Sequence, residues 1–131
     1  MKITLSNLSE ATEQQIFDQV KNHMLTQMKK STLGSNGDIC AYRGFDGLQC
    51  AAGCLMSDEE ASKMPEQKSW YALLIKGFVP KDHFGLINEL QDIHDVENPD
   101  EWAESLELLA SYRESTVTRG IKNTIQTTWE E

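Results

Sequence analysis

Apolar residues recur at every fourth position early in the chain: Ile16, Val20, Met24 and Met28, with Phe17 and Leu25 beside them. That spacing lays one stripe along a helix of 3.6 residues per turn and predicts a helix running to about Lys30. Thr12 and Gln15 open it in the form of a capping box, which satisfies two otherwise orphaned backbone N–H groups. Lys29 and Lys30 fall where the helix dipole favours cations. The stretch STLGSNGD, with two glycines, breaks the pattern into a loop.

The helical period returns in the second half. WYALLIKG (residues 70–77) is nearly continuous in apolar residues, with Pro65 upstream and Gly77 at its end, so a short helix is favoured over a buried strand. Pro80 and Asp82 begin a longer one, with His83, Leu86, Ile87, Leu90, Ile93 and His94 at three- and four-residue steps on one face. Asn98-Pro99-Asp100-Glu101 resets the chain as a helix start, and Trp102, Leu106, Leu109 and Ala110 give the next helix its inner face. The short connection makes these two helices antiparallel neighbours. After Tyr112 the pattern thins, yet Val117, Ile121, Ile125 and Trp129 keep a four-residue spacing. Residues 113–131 are read as a last helix docked through Trp129 or as a loosely held tail.

Period-two signals are shorter. MKITL alternates apolar and polar residues and suits a short edge strand. Ile39–Arg43 and Leu48–Ala52 flank FDG, and Asp-Gly between apolar runs is a hairpin signal. SDEEASKMPEQKS then reads as an exposed connection with a helical turn. The expected fold is α+β and mainly α-helical: one small β-hairpin (about 39–52) packed on three to five helices, in a single domain over residues 1–131.

Charge narrows the partners. Twenty-one acidic against twelve basic residues in 131 give a net charge of −9, which disfavours phosphate backbones and anionic membrane surfaces and suits a basic protein surface. No apolar run approaches the ~20 residues that span a bilayer, and the N-terminus lacks a secretory h-region. A cytoplasmic protein is expected.

All three cysteines fall in CAYRGFDGLQCAAGCLMSDEE. A two-residue Asp46-Gly47 turn would put Cys40 on the face opposite Cys50, whereas a three-residue Phe45-Asp46-Gly47 loop would bring both to one face. Even the second geometry gives Cys-x9-Cys-x3-Cys for Cys40, Cys50 and Cys54, which is not a common zinc pattern, and His94, the candidate fourth ligand by context, is not required by its spacing. A thiol nucleophile needs a lowered pKa. The company of Ala51, Ala52, Gly53 and Leu55 instead favours cysteine as a small packing residue. No metal or other cofactor is expected.

The polar residues between the cysteines are the better candidates. Tyr42 offers a stacking face and Arg43 a forked donor for carboxylate or phosphate. With Asp46, Gln49, Trp70 and His94 they form the candidate ligand- or partner-binding set, although an arginine bridging to nearby acid is the plainer reading of Arg43. His94-Asp95 has the form of an oriented base, while a histidine on an apolar face is more often a core residue. No Ser-His-Asp, paired-carboxylate, phosphate-loop or dinucleotide pattern occurs, and this argues against a conventional enzyme.

Cys40-x-Tyr42-Arg43-Gly44, the run from Cys50 to Leu55, and Leu90-Gln91-x-Ile93-His94-Asp95 followed by Trp102 resemble a set of small proteins of tailed bacteriophages and prophages. The resemblance covers about Thr12 to Leu109. It implies expression in a bacterial host and carries no established reaction. The function expected is that of a non-enzymatic acidic accessory protein that binds and inhibits a host or defence protein. The alternative is a protein binding a small anionic, nucleotide-type signal in a pocket around Tyr42, Arg43 and the Cys50–Cys54 turn, closed by Trp70 or His94. The apolar residues of the tail would also suit a homo-oligomer contact.

Overall fold

The computed structural model describes residues 2–33, 39–65 and 68–125, with residues 33, 39, 40 and 115–125 as backbone only. Five α-helices carry the fold among them: α1 Glu13–Gln27, α2 Asp58–Ser62, α3 Trp70–Ile75, α4 Phe84–Val96 and α5 Trp102–Ile125. Short 3-10 turns at Leu5–Glu10, Phe45–Gly47, Gly53–Leu55 and Pro99–Glu101 join them.

Local chemistry sets the helix starts. Thr12 Oγ1 accepts the Gln15 N–H at 3.1 Å, and Gln15 Oε1 accepts the Thr12 N–H at 2.9 Å. The Asn98–Glu101 pair closes a second capping box, with Pro99 at the first helical position. The stripe of α1 ends sooner than its spacing suggests. Met28 turns left-handed at φ 51° and is exposed, so Ile16, Val20 and Met24, with Phe17 beside them, carry the buried face. His83, also left-handed at φ 60°, delays α4 until Phe84.

One core cluster gathers Leu8, the α1 stripe, Ala51, Ala52, Leu55, Met56, Trp70, Leu73, Leu86, Ile87, Leu90, Trp102 and Leu106. α4 and α5 run antiparallel: Trp102, at the start of α5, stacks on His94 near the end of α4. Arg113, farther along α5, pairs with Glu89 in the middle of α4. As backbone, α5 continues through Ile125; Trp129, on which the docked tail was expected to turn, lies outside the described residues.

The α+β expectation is overturned: the protein is helical, and no hairpin spans residues 39–52. The extended pairing described is an antiparallel pair of two-residue segments, β1 Thr32–Leu33 with β2 Ile39–Cys40, and one bridge between Arg43 and Gln49. That bridge keeps the register of the three-residue loop, whose Asp46 and Gly47 are left-handed at φ 56° and 76°. The second arm then coils into the Gly53–Leu55 turn. A half-buried strand needs alternate residues in water, but Ala51, Ala52, Gly53, Cys54 and Leu55 are all buried. MKITL is likewise not paired as a strand among the described residues. Its Ile3 N–H and C=O are both bonded to the side-chain amide of Gln19, at 2.8 and 2.9 Å.

Candidate functional site

α4 delivers His94 to a fully buried position. Its ring lies 5.3 Å from that of Trp102, with the planes 24° apart. The Nδ1–H donates to Asp95 Oδ1 at 2.8 Å, and Nε2 accepts the Ser31 N–H at 3.1 Å. A backbone N–H can only donate, so Nε2 must be the acceptor, and this assigns the tautomer. His94-Asp95 therefore resembles an oriented base whose working nitrogen is already occupied. Ser31 Oγ reaches the carbonyls of Ala41 and Leu48, at 2.7 and 3.1 Å, and ties this pair to the segment carrying Tyr42 and Arg43.

Arg43 spends its guanidinium on the chain itself. Nη1 donates to Gly53 O at 2.7 Å and Tyr42 O at 3.1 Å, Nη2 to Met56 O at 2.9 Å, and Nε to Asp58 Oδ1 at 3.0 Å. The planar fork thereby satisfies carbonyls that the Gly53–Leu55 turn leaves outside any ladder. Gly53 is needed there, because a Cβ would stand 2.3 Å from Tyr42 O. The Tyr42 hydroxyl donates to Lys68 O at 2.6 Å, and burial raises the phenol's pKa above its usual range.

The described thiols are in the form least suited to nucleophilic attack. Cys50 Sγ accepts the Gly53 N–H at 3.3 Å, and the Cys54 S–H donates to Ala51 O at 3.1 Å. Burial pushes both up to about 12, outweighing the pull of Lys2 and Arg43 on Cys54. The side chain of Cys40 lies outside what is described. Among the described residues, no group of three His, Cys, Asp or Glu is placed to hold a metal ion.

The remaining candidates separate. Asp46 is exposed at the tip of the Phe45–Gly47 turn. Gln49 contributes its backbone: its N–H donates to Gln27 Oε1 at 3.0 Å, and its C=O accepts from Gln27 Nε2 at 2.9 Å and His23 Nε2 at 2.7 Å. Trp70 and Tyr42 share a cavity of 90 Å³ with Asn88, Gln91, Asp92 and Asp95, and Arg43 is not part of its wall. His94 sits behind Asp95 and is also outside the lining.

Two features escaped the sequence reading. Gln19, Gln27 and Gln91 use side-chain amides to hold backbone outside the α-helices; Gln19 and Gln27, eight apart beside the apolar stripe of α1, were a readable sign of this. The outer face of α5 was the second. Leu108 and Tyr112, one turn apart, are 64% and 60% exposed, with Glu104 exposed one turn before Leu108 and Glu107 exposed on its flank. From Glu97 to Glu114 the chain carries six acids (Glu97, Asp100, Glu101, Glu104, Glu107, Glu114) and one base, Arg113, which is engaged by Glu13 and Glu89.

Among the described residues no helix is long and apolar enough to cross a membrane. Comparison with family models, with curated proteins and with solved structures finds no match.

Proposed function

We propose that this chain is a non-catalytic binding protein that docks on a basic protein partner through the outer face of α5. The observation carrying the reading is the exposed Leu108–Tyr112 pair, with exposed Glu104 one turn before it and exposed Glu107 on its flank. An aromatic and an aliphatic anchor one turn apart supply contact area, and the surrounding carboxylates steer a cationic surface and reject an anionic one. The net charge of −9 extends the same preference over long range. The internal use of Arg43, His94, Cys50 and Cys54 by the fold adds support, since the groups with most chemical potential are committed to scaffolding. The resemblance to phage and prophage proteins would make the partner a host or defence protein and the outcome inhibition.

The test is affinity capture from bacterial lysate with the full chain, with Leu108→Ala/Tyr112→Ala and with Glu104→Lys/Glu107→Lys. The expected result is one basic protein retained at low salt, released near ~0.5 M salt as exposed charges are screened, and lost by both variants. A partner retained equally by all three chains, or insensitive to salt, would overturn the reading.

A further inference from the structure

α3 carries a second exposed apolar patch, and its charge is opposite to that of the outer face of α5. Tyr71 and Ile75, one turn apart, are 58% and 66% exposed. Phe84 meets Tyr71 edge-on, with ring centroids 6.1 Å apart. The helix is closed at Gly77, left-handed at φ 81°, and the Phe78 N–H reaches back to Leu73 O at 2.9 Å. That closure leaves Lys76 exposed at the helix end, beyond Ile75, and Phe78 exposed just past it.

From Lys68 to Lys81 the sequence holds three lysines and no acid, within a chain of net charge −9. Lys68 borders the cavity that Asp92 and Asp95 also line, whereas Lys76 and Lys81 enter no ion pair among the described residues. A basic, apolar patch calls for an acidic, apolar surface, and the same chain displays one at Leu108 and Tyr112. Each patch offers one aromatic and one aliphatic residue a turn apart. An antiparallel crossing sets Tyr71 against Tyr112 and Ile75 against Leu108. It also carries Lys76, beyond Ile75, toward Glu104, the turn before Leu108. A parallel crossing would carry Lys76 past Tyr112 and away from Glu104. Pairing α3 with another α3 would oppose lysine to lysine, and an anionic bilayer would meet the −9 of the whole chain.

We propose that the α3 patch of one copy docks, antiparallel, on the outer face of α5 of a second copy. α4 packs against both helices and the two patches share no residue, so the contact is heterologous: it runs head to tail rather than stopping at a symmetric pair. This rests on the reading of α5 as a docking face for a basic surface, and adds the chain's own α3 as one such surface. So few anchors make a weak contact, with copies separate when dilute and associating at roughly 0.1–1 mM.

The test is sedimentation equilibrium of the full chain from about 20 μM to about 2 mM, at ~0.15 M salt so that long-range repulsion is screened. Mass should rise with concentration for the native chain. Ile75→Ser, which removes an anchor and no charge, should weaken association about tenfold. Lys76→Glu and Glu104→Lys should each weaken it as well, and an equal mixture of those two chains should restore it, because each reversed charge then meets its opposite. Misfolding of either variant cannot produce that rescue. A native chain that stays monomeric throughout, including one that binds phosphatidylglycerol vesicles instead, would overturn the proposal. So would association unchanged by Ile75→Ser, or a mixture no more associated than its components. Lys76→Glu leaves α5 intact. A monomeric native chain that still captures its basic protein from lysate therefore defeats this proposal alone, and self-association with no captured protein defeats the host-protein reading alone.

Discussion

The side-chain amide of Gln27 bonds both the N–H and the C=O of Gln49, as a neighbouring strand would, across 22 residues of sequence. Helix α1 thus does for this segment what a sheet was expected to do. Gln27→Ala should lower stability by about 1–3 kcal/mol, because it leaves half-buried backbone groups without partners. Gln49→Ala, which keeps the backbone and removes a side chain that makes no hydrogen bond among the described residues, should stay within about 0.5 kcal/mol. Urea unfolding of the two variants checks the contrast; equal losses would mean that the side chain of Gln49, not its backbone, matters.

Arg43 and Asp58 form an ion pair, but the two partners should not be equally costly to lose. Asp58 is 93% exposed, so Asp58→Asn should cost no more than about 1 kcal/mol. Arg43→Lys removes the fork that holds the carbonyls of Tyr42, Gly53 and Met56, and should cost about 2–4 kcal/mol even though the charge is kept. Thermal unfolding should rank the lysine variant well below the asparagine variant.

Cys50 and Cys54 should resist alkylation in the folded protein. At pH 8 a thiol near its ordinary pKa is partly ionised, whereas one held at about 12 is thiolate at roughly one part in ten thousand. In a Cys40→Ser background, iodoacetamide labelling should therefore be about a thousandfold slower native than in urea. Rapid native labelling of either residue would show a thiol more open or more acidic than this burial allows.

His23 makes stability depend on mild acid. Burial holds its folded-state pKa below the ordinary 6.5, against the opposing pull of the Gln49 carbonyl. Above pH 6.5 neither state binds the proton and the contribution is fully present. Below it the unfolded chain protonates first, so stability falls as pH drops toward and through the folded-state value. Urea midpoints between pH 7.5 and 5 should decline below about 6.5, and His23→Gln, which retains an N–H for Gln49 O, should flatten the decline.

Much of the helical layout was legible in the sequence because its causes are local. The Thr12–Gln15 and Asn98–Glu101 boxes act across three residues, and the stripes of α1, α4 and α5 repeat within a turn or two. WYALLIKG also resolved as a helix, with Trp70 and Leu73 inward and Tyr71 and Ile75 exposed. The candidate site was legible only in part. Tyr42 and Trp70 do meet at a cavity, but Arg43 and His94, marked out for their chemistry, face backbone and core.

What the chain alone determined was the capped starts at Thr12 and Asn98, the faces that α1, α4 and α5 bury, and that the whole carries an excess of acid. What only tertiary structure decided was the fate of residues 39–56. Hairpin and coiled turn satisfy the same local preferences there, down to the register of the Phe45–Gly47 loop. The choice rests on partners far away: Gln27 for Gln49, Gln91 for Ala52, and His94 for Ser31, which in turn holds Ala41 and Leu48. Those hydrogen bonds cross 22, 39 and 63 residues, respectively, between each first-named pair, beyond the reach of any local periodicity. They exist because buried backbone must find partners, and here side chains of α1 and α4 supply them in place of a second strand.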